Sequence, residues 1–186
     1  IAIKYQTNLT QTKAGKHNFF NYIPHFKQVL VVVSVDGIGE VNDYIRRRSK
    51  FKEIENNIKY LKKYDNVNID LNGTLTFISV LRFYEVIDYF KNHKEFRDLN
   101  WWLISEPSLT KVNNLPQKLK DKLIPVYEKY EEAYDIVNAL KMDPNPDSNV
   151  KEVLQYLLDT DEAYKGTKWE MHLFNIFPEL KEYYGT

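Results

Sequence analysis

Four short runs of β-branched and aromatic residues each end in polar side chains. Thr7-Asn8 closes the first, Ser34 and Asp36 the second, Ser79 follows shortly after the third, and Ser105-Glu106 follows the fourth. Hydroxyl, amide and carboxylate groups at such ends can hydrogen-bond a polar small molecule, and α/β folds bind ligands where the carboxyl ends of parallel strands meet. Any one of these residues alone is an ordinary turn or cap residue. Four neighbouring ends together point to a cavity. Other chemistries find little footing. His17, His25, His93 and His172 lack metal-ligand spacing. The absence of cysteine removes disulfides, thiolate-held zinc or iron–sulfur centres and thiol nucleophiles from this chain. There is no G-x-S-x-G elbow and no P-loop, and Gly37 with Gly39 reads as a simple turn. The basic cluster Arg46-Arg47-Arg48 with Lys50 and Lys52 runs into Glu53 and Glu55, the pattern of a solvated helix entrance.

The elements that must carry these groups are legible from periodicity. Ile1 to Thr7, Val29 to Asp36, Val67 to Phe77 and Asn100 to Ser105 read as strands. Between them, Ser49 to Tyr64 carries Phe51, Ile54, Ile58 and Leu61 at helical spacing with Ser49 as an N-cap, and Val80 to Phe96 carries Leu81, Val86, Ile87 and Phe90. Strand, helix, strand is the parallel βαβ unit. In the second strand Val29, Val31, Val33 and Val35 share one face, with Leu30, Val32, Ser34 and Asp36 on the other. In the third, Ile69, Leu71, Leu75 and Phe77 oppose Asn68, Asp70, Asn72, Thr74 and Thr76. A polar face on an interior parallel strand lines a cavity, so the expected fold class is α/β, with parallel βα repeats forming part of a partial TIM-type barrel. Of Trp101 and Trp102, alternation lets only one look inward, and the expected one is Trp102, with Ile104 and Glu106.

After Ser105 the pattern changes. Leu115-Pro116 opens a helical stretch to about Leu140, Asp143-Pro-Asn-Pro-Asp147 breaks it, a helix follows from Ser148 to about Leu158, and Trp169 to Tyr184 reads as short turns anchored by Trp169, Phe174, Phe177 and Tyr183. The expected organisation is a barrel part over residues 1–110 and a helical region over 111–186. The 186 residues suffice for one hydrophobic core. A balance of 26 Lys and Arg against 26 Asp and Glu argues against a dedicated nucleic-acid binder. The longest apolar run, Val29 to Val33, falls far short of the roughly 18 residues of a membrane span. With no export signal in view the expected compartment is the cytoplasm. Because Ile1 to Thr7 is a strand from the first residue, the chain is expected to start inside a larger fold, with the edge strand Ile1–Thr7 open to a protein partner or to a preceding segment.

The residues Thr7-Asn8, Val33-Ser34-Val35-Asp36-Gly37, Glu40-Val-Asn-Asp-Tyr44-Ile45-Arg46 and Lys52-Glu-Ile-Glu-Asn-Asn-Ile58 resemble the middle of a radical S-adenosylmethionine enzyme. Ser105-Glu-Pro-Ser-Leu109, Asn114-Leu115-Pro116 with Leu119-Lys120, Asp161-Glu-Ala-Tyr164 and Phe177-Pro178-Glu179-Leu180 are similar to the subgroup with a twitch domain. The resemblance implies that the four strands match the family's third to sixth, that S-adenosylmethionine is the cofactor, and that Thr7 and Asn8 approach it. It further implies that Ser34 and Asp36 hydrogen-bond its ribose and amino-acid part and that Arg46 faces its carboxylate, a charge-assisted pairing. Ser79 stands where such sequences usually carry an asparagine.

The family's C-x-x-x-C-x-x-C loop, which holds a [4Fe-4S] cluster, and its Gly-Gly-Glu-type turn are missing. The resemblance therefore implies the S-adenosylmethionine-binding portion of such an enzyme, catalytic only if cysteines come from outside this chain. The alternative is a cluster-free relic serving as a ligand-binding or protein-interaction subunit.

Overall fold

The computed structural model describes residues 1–146 and 148–184. Asp147, the last residue of the expected break, lies outside the described residues, as do Gly185 and Thr186 at the end of the expected helical region. The chain divides into two compact units, Ile1–Gly73 with Glu85–Trp101, and Thr74–Tyr84 with Trp102–Thr186.

The first unit is built on a four-stranded parallel sheet of α/β type. Its strands are β1 (Ala2–Thr7), β4 (Gln28–Ser34), β5 (Val67–Leu75) and β6 (Phe96–Leu103), hydrogen-bonded in the order β1-β4-β5-β6. A two-residue hairpin, β2 (Lys13–Ala14) with β3 (His17–Asn18), interrupts the first crossover. The later crossovers carry α1 (Glu40–Ile45), α2 (Phe51–Leu61) and α3 (Phe83–Asn92). Register decides which side chains share a face. Ile3 lies beside Val29 and Tyr5 beside Val31, while Val31 pairs with Ile69 and Val33 with Leu71. On this face Val29, Val31 and Val33 are fully buried, each contributing about 1.5–3 kcal/mol of transfer free energy. Phe51, Ile54, Ile58 and Leu61 of α2 are buried at the predicted spacing. Phe96 packs on Tyr89 and Phe90 of α3, which places α3 on the same side.

The other face reads as three rungs: Lys4, Leu30 and Asn68; then Gln6, Val32 and Asp70; then Ser34 and Asn72. Lys4 and Gln6 are exposed, and Leu30, Asn68 and Asn72 are half-buried. Among the described residues, β1 forms one edge of this sheet and pairs with β4.

Several boundaries differ from expectation for identifiable reasons. The third strand ends at Leu75 because Ser79 closes a turn on Thr74 and Thr76. The fourth begins at Phe96, four residues early, since Phe96 is anchored in the aromatic cluster of α3. Ser49 is not the cap of α2. Lys50 holds that position, and Asp43 Oδ1, from α1, accepts the Phe51 amide at 2.6 Å. Trp102 is 68% exposed, and because Arg97 reaches Asp70 on the polar face, alternation puts Trp101 rather than Trp102 on that side.

In the second unit the expected helix to Leu140 is two. They are α4 (Gln117–Tyr127) and α5 (Tyr134–Lys141), separated by a 3-10 turn. Pro125, inside α4, has no amide hydrogen to donate to the preceding turn, and the helix stops two residues later. α6 (Val150–Ala163) runs five residues past the expected end, and α7 (Leu173–Ile176) is a single turn. The terminal anchors are Leu173, Phe177 and Leu180, all fully buried, while Trp169 and Phe174 stay half-exposed.

Tyr127 pins α4 in place. Its hydroxyl donates to the Val80 carbonyl at 2.6 Å and accepts the Tyr84 amide at 3.2 Å, and burial drives its pKa far up. Tyr127→Phe removes the hydroxyl from both contacts and is expected to lower the unfolding free energy by about 1–3 kcal/mol in chemical denaturation.

Candidate functional site

The site grows from a tight turn after β4. Gly37 folds back against the first turn of α1, where a Cβ would lie 2.4 Å from Val41 Cγ1 and 3.0 Å from the Asn42 nitrogen. A larger residue there would force Val41 and the start of α1 to shift. Gly39 then enters α1 at a positive φ of 55°. This return brings the Asp36 amide to Asn42 Oδ1, to which it donates at 3.1 Å. Asn42 is wholly buried. One turn further, the Arg46 amide donates to the Asn42 carbonyl, and the Arg46 side chain comes back over Asp36, with Nε 2.8 Å from Oδ2.

The pair is asymmetric. The Asp36 side chain is 8% exposed and that of Arg46 27%. The Arg46 Nε–H is not aligned on the carboxylate despite its closeness, so the contact is an ion pair without the geometry of a good hydrogen bond. Two more buried polar atoms of this segment, Asn42 Nδ2 and Ser49 Oγ, have no hydrogen-bond partner among the described residues. Buried donors without acceptors are uncommon, so the segment from Asp36 to Ser49 holds donor capacity in excess of what the fold uses. A carboxylate and a guanidinium side by side at the end of a central strand match the ammonium and carboxylate of an α-amino acid.

The predicted residues fall into two groups. Ser34 and Asp36 stand at the carboxyl end of β4, with Ser34 beside Asn72 on the polar face, and Arg46 joins Asp36. Thr7 lies beside Val33, on the helix-covered face opposite Ser34. Its hydroxyl accepts the Leu9 amide at 2.9 Å, and Asn8 Oδ1 accepts the Thr10 hydroxyl at 3.0 Å, so both act in a turn. Ser79 belongs to the second unit and is fully buried. Its hydroxyl donates to the Thr74 carbonyl at 2.8 Å and accepts the Thr76 amide at 2.7 Å. Glu106 likewise accepts the Ser108 amide.

Sequence reasoning missed Asn42, which stood inside a quoted motif without a role, and the pairing of Asp70 with Arg97. Their signal was weak. An asparagine near a helix start is usually a cap, and nothing local links residues 27 positions apart. It also missed Lys120 in the second unit, only 1% exposed, whose Nζ donates to the Met142 carbonyl at the end of α5. Burial lowers its pKa, opposed by Asp143 and Asp121.

No protein-family model, curated protein or solved structure matches this chain. Among the described residues no helix is long and apolar enough to cross a membrane.

Because both capacities of the Ser79 hydroxyl are spent on the turn, Ser79→Ala is expected to cost about 1–3 kcal/mol of stability in urea titrations. It should leave any ligand affinity of the Asp36 region unchanged, which calorimetry of the folded variant checks.

Proposed function

We propose that this chain binds S-adenosylmethionine at the carboxyl end of β4 and is the cofactor-cradling portion of a radical S-adenosylmethionine-type enzyme. In this reading its four strands form part of a partial TIM-type barrel around the polar face. The observation that carries it is the Asp36–Arg46 pair, a carboxylate and a guanidinium in contact at a strand end. The ligand's amino group replaces Arg46 on Asp36, and its carboxylate takes the Arg46 guanidinium. Ser34, at the same strand end as Asp36, offers a hydroxyl to the ribose. Asn42 acts as a positioning residue, since its Oδ1 accepts the Asp36 amide.

An iron–sulfur cluster does not fit the donor set of this chain. Cysteine is absent from the sequence, and among the described residues no three His, Asp or Glu side chains gather as a metal site. No step of radical generation is therefore assigned to these residues. A cluster-free ligand-binding or protein-interaction subunit is the second reading, and it is favoured by that same lack of cysteine together with the exposed edge strand β1.

Titration calorimetry with S-adenosylmethionine and S-adenosylhomocysteine tests the binding. Wild type should give saturable heat with both. Asp36→Asn and Arg46→Gln should each weaken binding by about tenfold or more, the loss expected for a charged hydrogen-bond partner. Absence of heat in wild type, or unchanged affinity in both variants, overturns the proposal.

A further inference from the structure

The polar face of the first unit's sheet carries a second ion pair, which the proposed site does not use. Asp70, in the middle of β5, is 4% exposed. It accepts two parallel hydrogen bonds from Arg97 of β6, Nε to Oδ1 at 2.9 Å and Nη2 to Oδ2 at 2.6 Å. The Arg97 side chain remains 52% exposed. Burying a carboxylate in the middle of a strand is costly, and a half-exposed partner returns little stability for it. What the arrangement does achieve is orientation. With the inner edge of the guanidinium fixed, its remaining N–H groups point away from Asp70 in a fixed plane, the geometry that receives a carboxylate or phosphate oxygen at low entropic cost.

The surroundings fit such a guest. Across the sheet from Arg97, Lys4 is exposed on the outer strand of the same face, in the rung Lys4, Leu30 and Asn68. Three strand spacings separate β1 from β6, roughly 14 Å. The floor between them is Leu30 and Val32, flanked by the amides Gln6, Asn68 and Asn72. On these rungs Asp70 is the acid and is paired with Arg97, Asp98 of β6 also lies near that guanidinium, and Lys4 adds a second cation to the face.

We propose that this face is a binding site for a small molecule bearing a carboxylate or phosphate group, with Arg97 as the anion fork, Asp70 as its positioning residue and Lys4 as a second cation. The site does not depend on the S-adenosylmethionine reading, because Arg97, Asp70 and Lys4 take no part in that reading and Asp36→Asn should leave this site intact. Either can fail alone.

Nitrogen-15 NMR titration of the full chain with pyrophosphate and, separately, with succinate tests it. At least one probe should shift the Arg97 Nε–Hε signal and the amides of Gln6, Val32 and Asn68 in a saturable way. Saturation by pyrophosphate alone identifies a phosphate guest and by succinate alone a carboxylate guest. Arg97→Gln should weaken binding about tenfold or more, Arg97→Lys should weaken it although charge is kept, and Lys59→Gln at an exposed position of α2 should change nothing. Asp70→Asn is the sharpest arm. It makes the face more positive yet releases the fork, so weaker binding supports the site and unchanged or tighter binding overturns it. If that variant unfolds, Arg97→Lys against wild type decides, and equal affinity there overturns the proposal, as does saturation by neither probe.

Discussion

Side chains on a β-strand alternate between two faces, and in β4 and β5 the two faces have opposite character. Val29, Val31, Val33, Ile69 and Leu71 can only be satisfied under helices, so α2 and α3 must pack on that side. Leu30, Val32, Ser34, Asn68, Asp70 and Asn72 are thereby committed to the other side. A shift of one residue in register would drive Asp70 into the apolar layer, at a cost no pairing there could offset. This constraint aims the polar groups of β4 and β5, and the turn after β4 then adds Asp36 and Arg46.

Two acid–guanidinium pairs then stand out, one on the polar face and one past the carboxyl end of β4, and they differ in kind. Asp70 holds Arg97 through two aligned bonds, so the arginine is the presented group and the acid its support. In the other pair Arg46 sits close to Asp36 without aligned geometry, and neighbouring donors on Asn42 and Ser49 are unspent. A partly buried ion pair returns in attraction little more than it loses in desolvation, so opening it for a better-matched ligand is not expensive. Stability rests elsewhere, on the valine layer and on fully buried anchors such as Tyr127, Phe177 and Leu180.

Much of this was legible in the sequence where the signal was periodic. The strands, the buried stripe of α2 and the polar face of β5 follow from spacings of two, three and four. Signals that depend on tertiary contact were not legible. Whether Thr7 serves a ligand or a turn depends on the register that sets it beside Val33, and the fate of Ser79 depends on a turn that uses both its hydrogen-bonding capacities. Lys120 could not be read as buried, because only the fold brings the Met142 carbonyl to its ammonium. The interruption of the long helix was readable from Pro125 and was overlooked amid the apolar periodicity around it.

The central claim is that Asp36 and Arg46 recognise the amino-acid end of the ligand. Comparing S-adenosylmethionine with methylthioadenosine, which keeps the nucleoside and lacks the amino-acid end, tests it most directly. Wild type should bind S-adenosylmethionine about tenfold or more tightly than methylthioadenosine, and the difference should shrink in Arg46→Gln and vanish when Asp36→Asn is combined with it. Equal affinities in wild type, or a difference undiminished in the double variant, would contradict it.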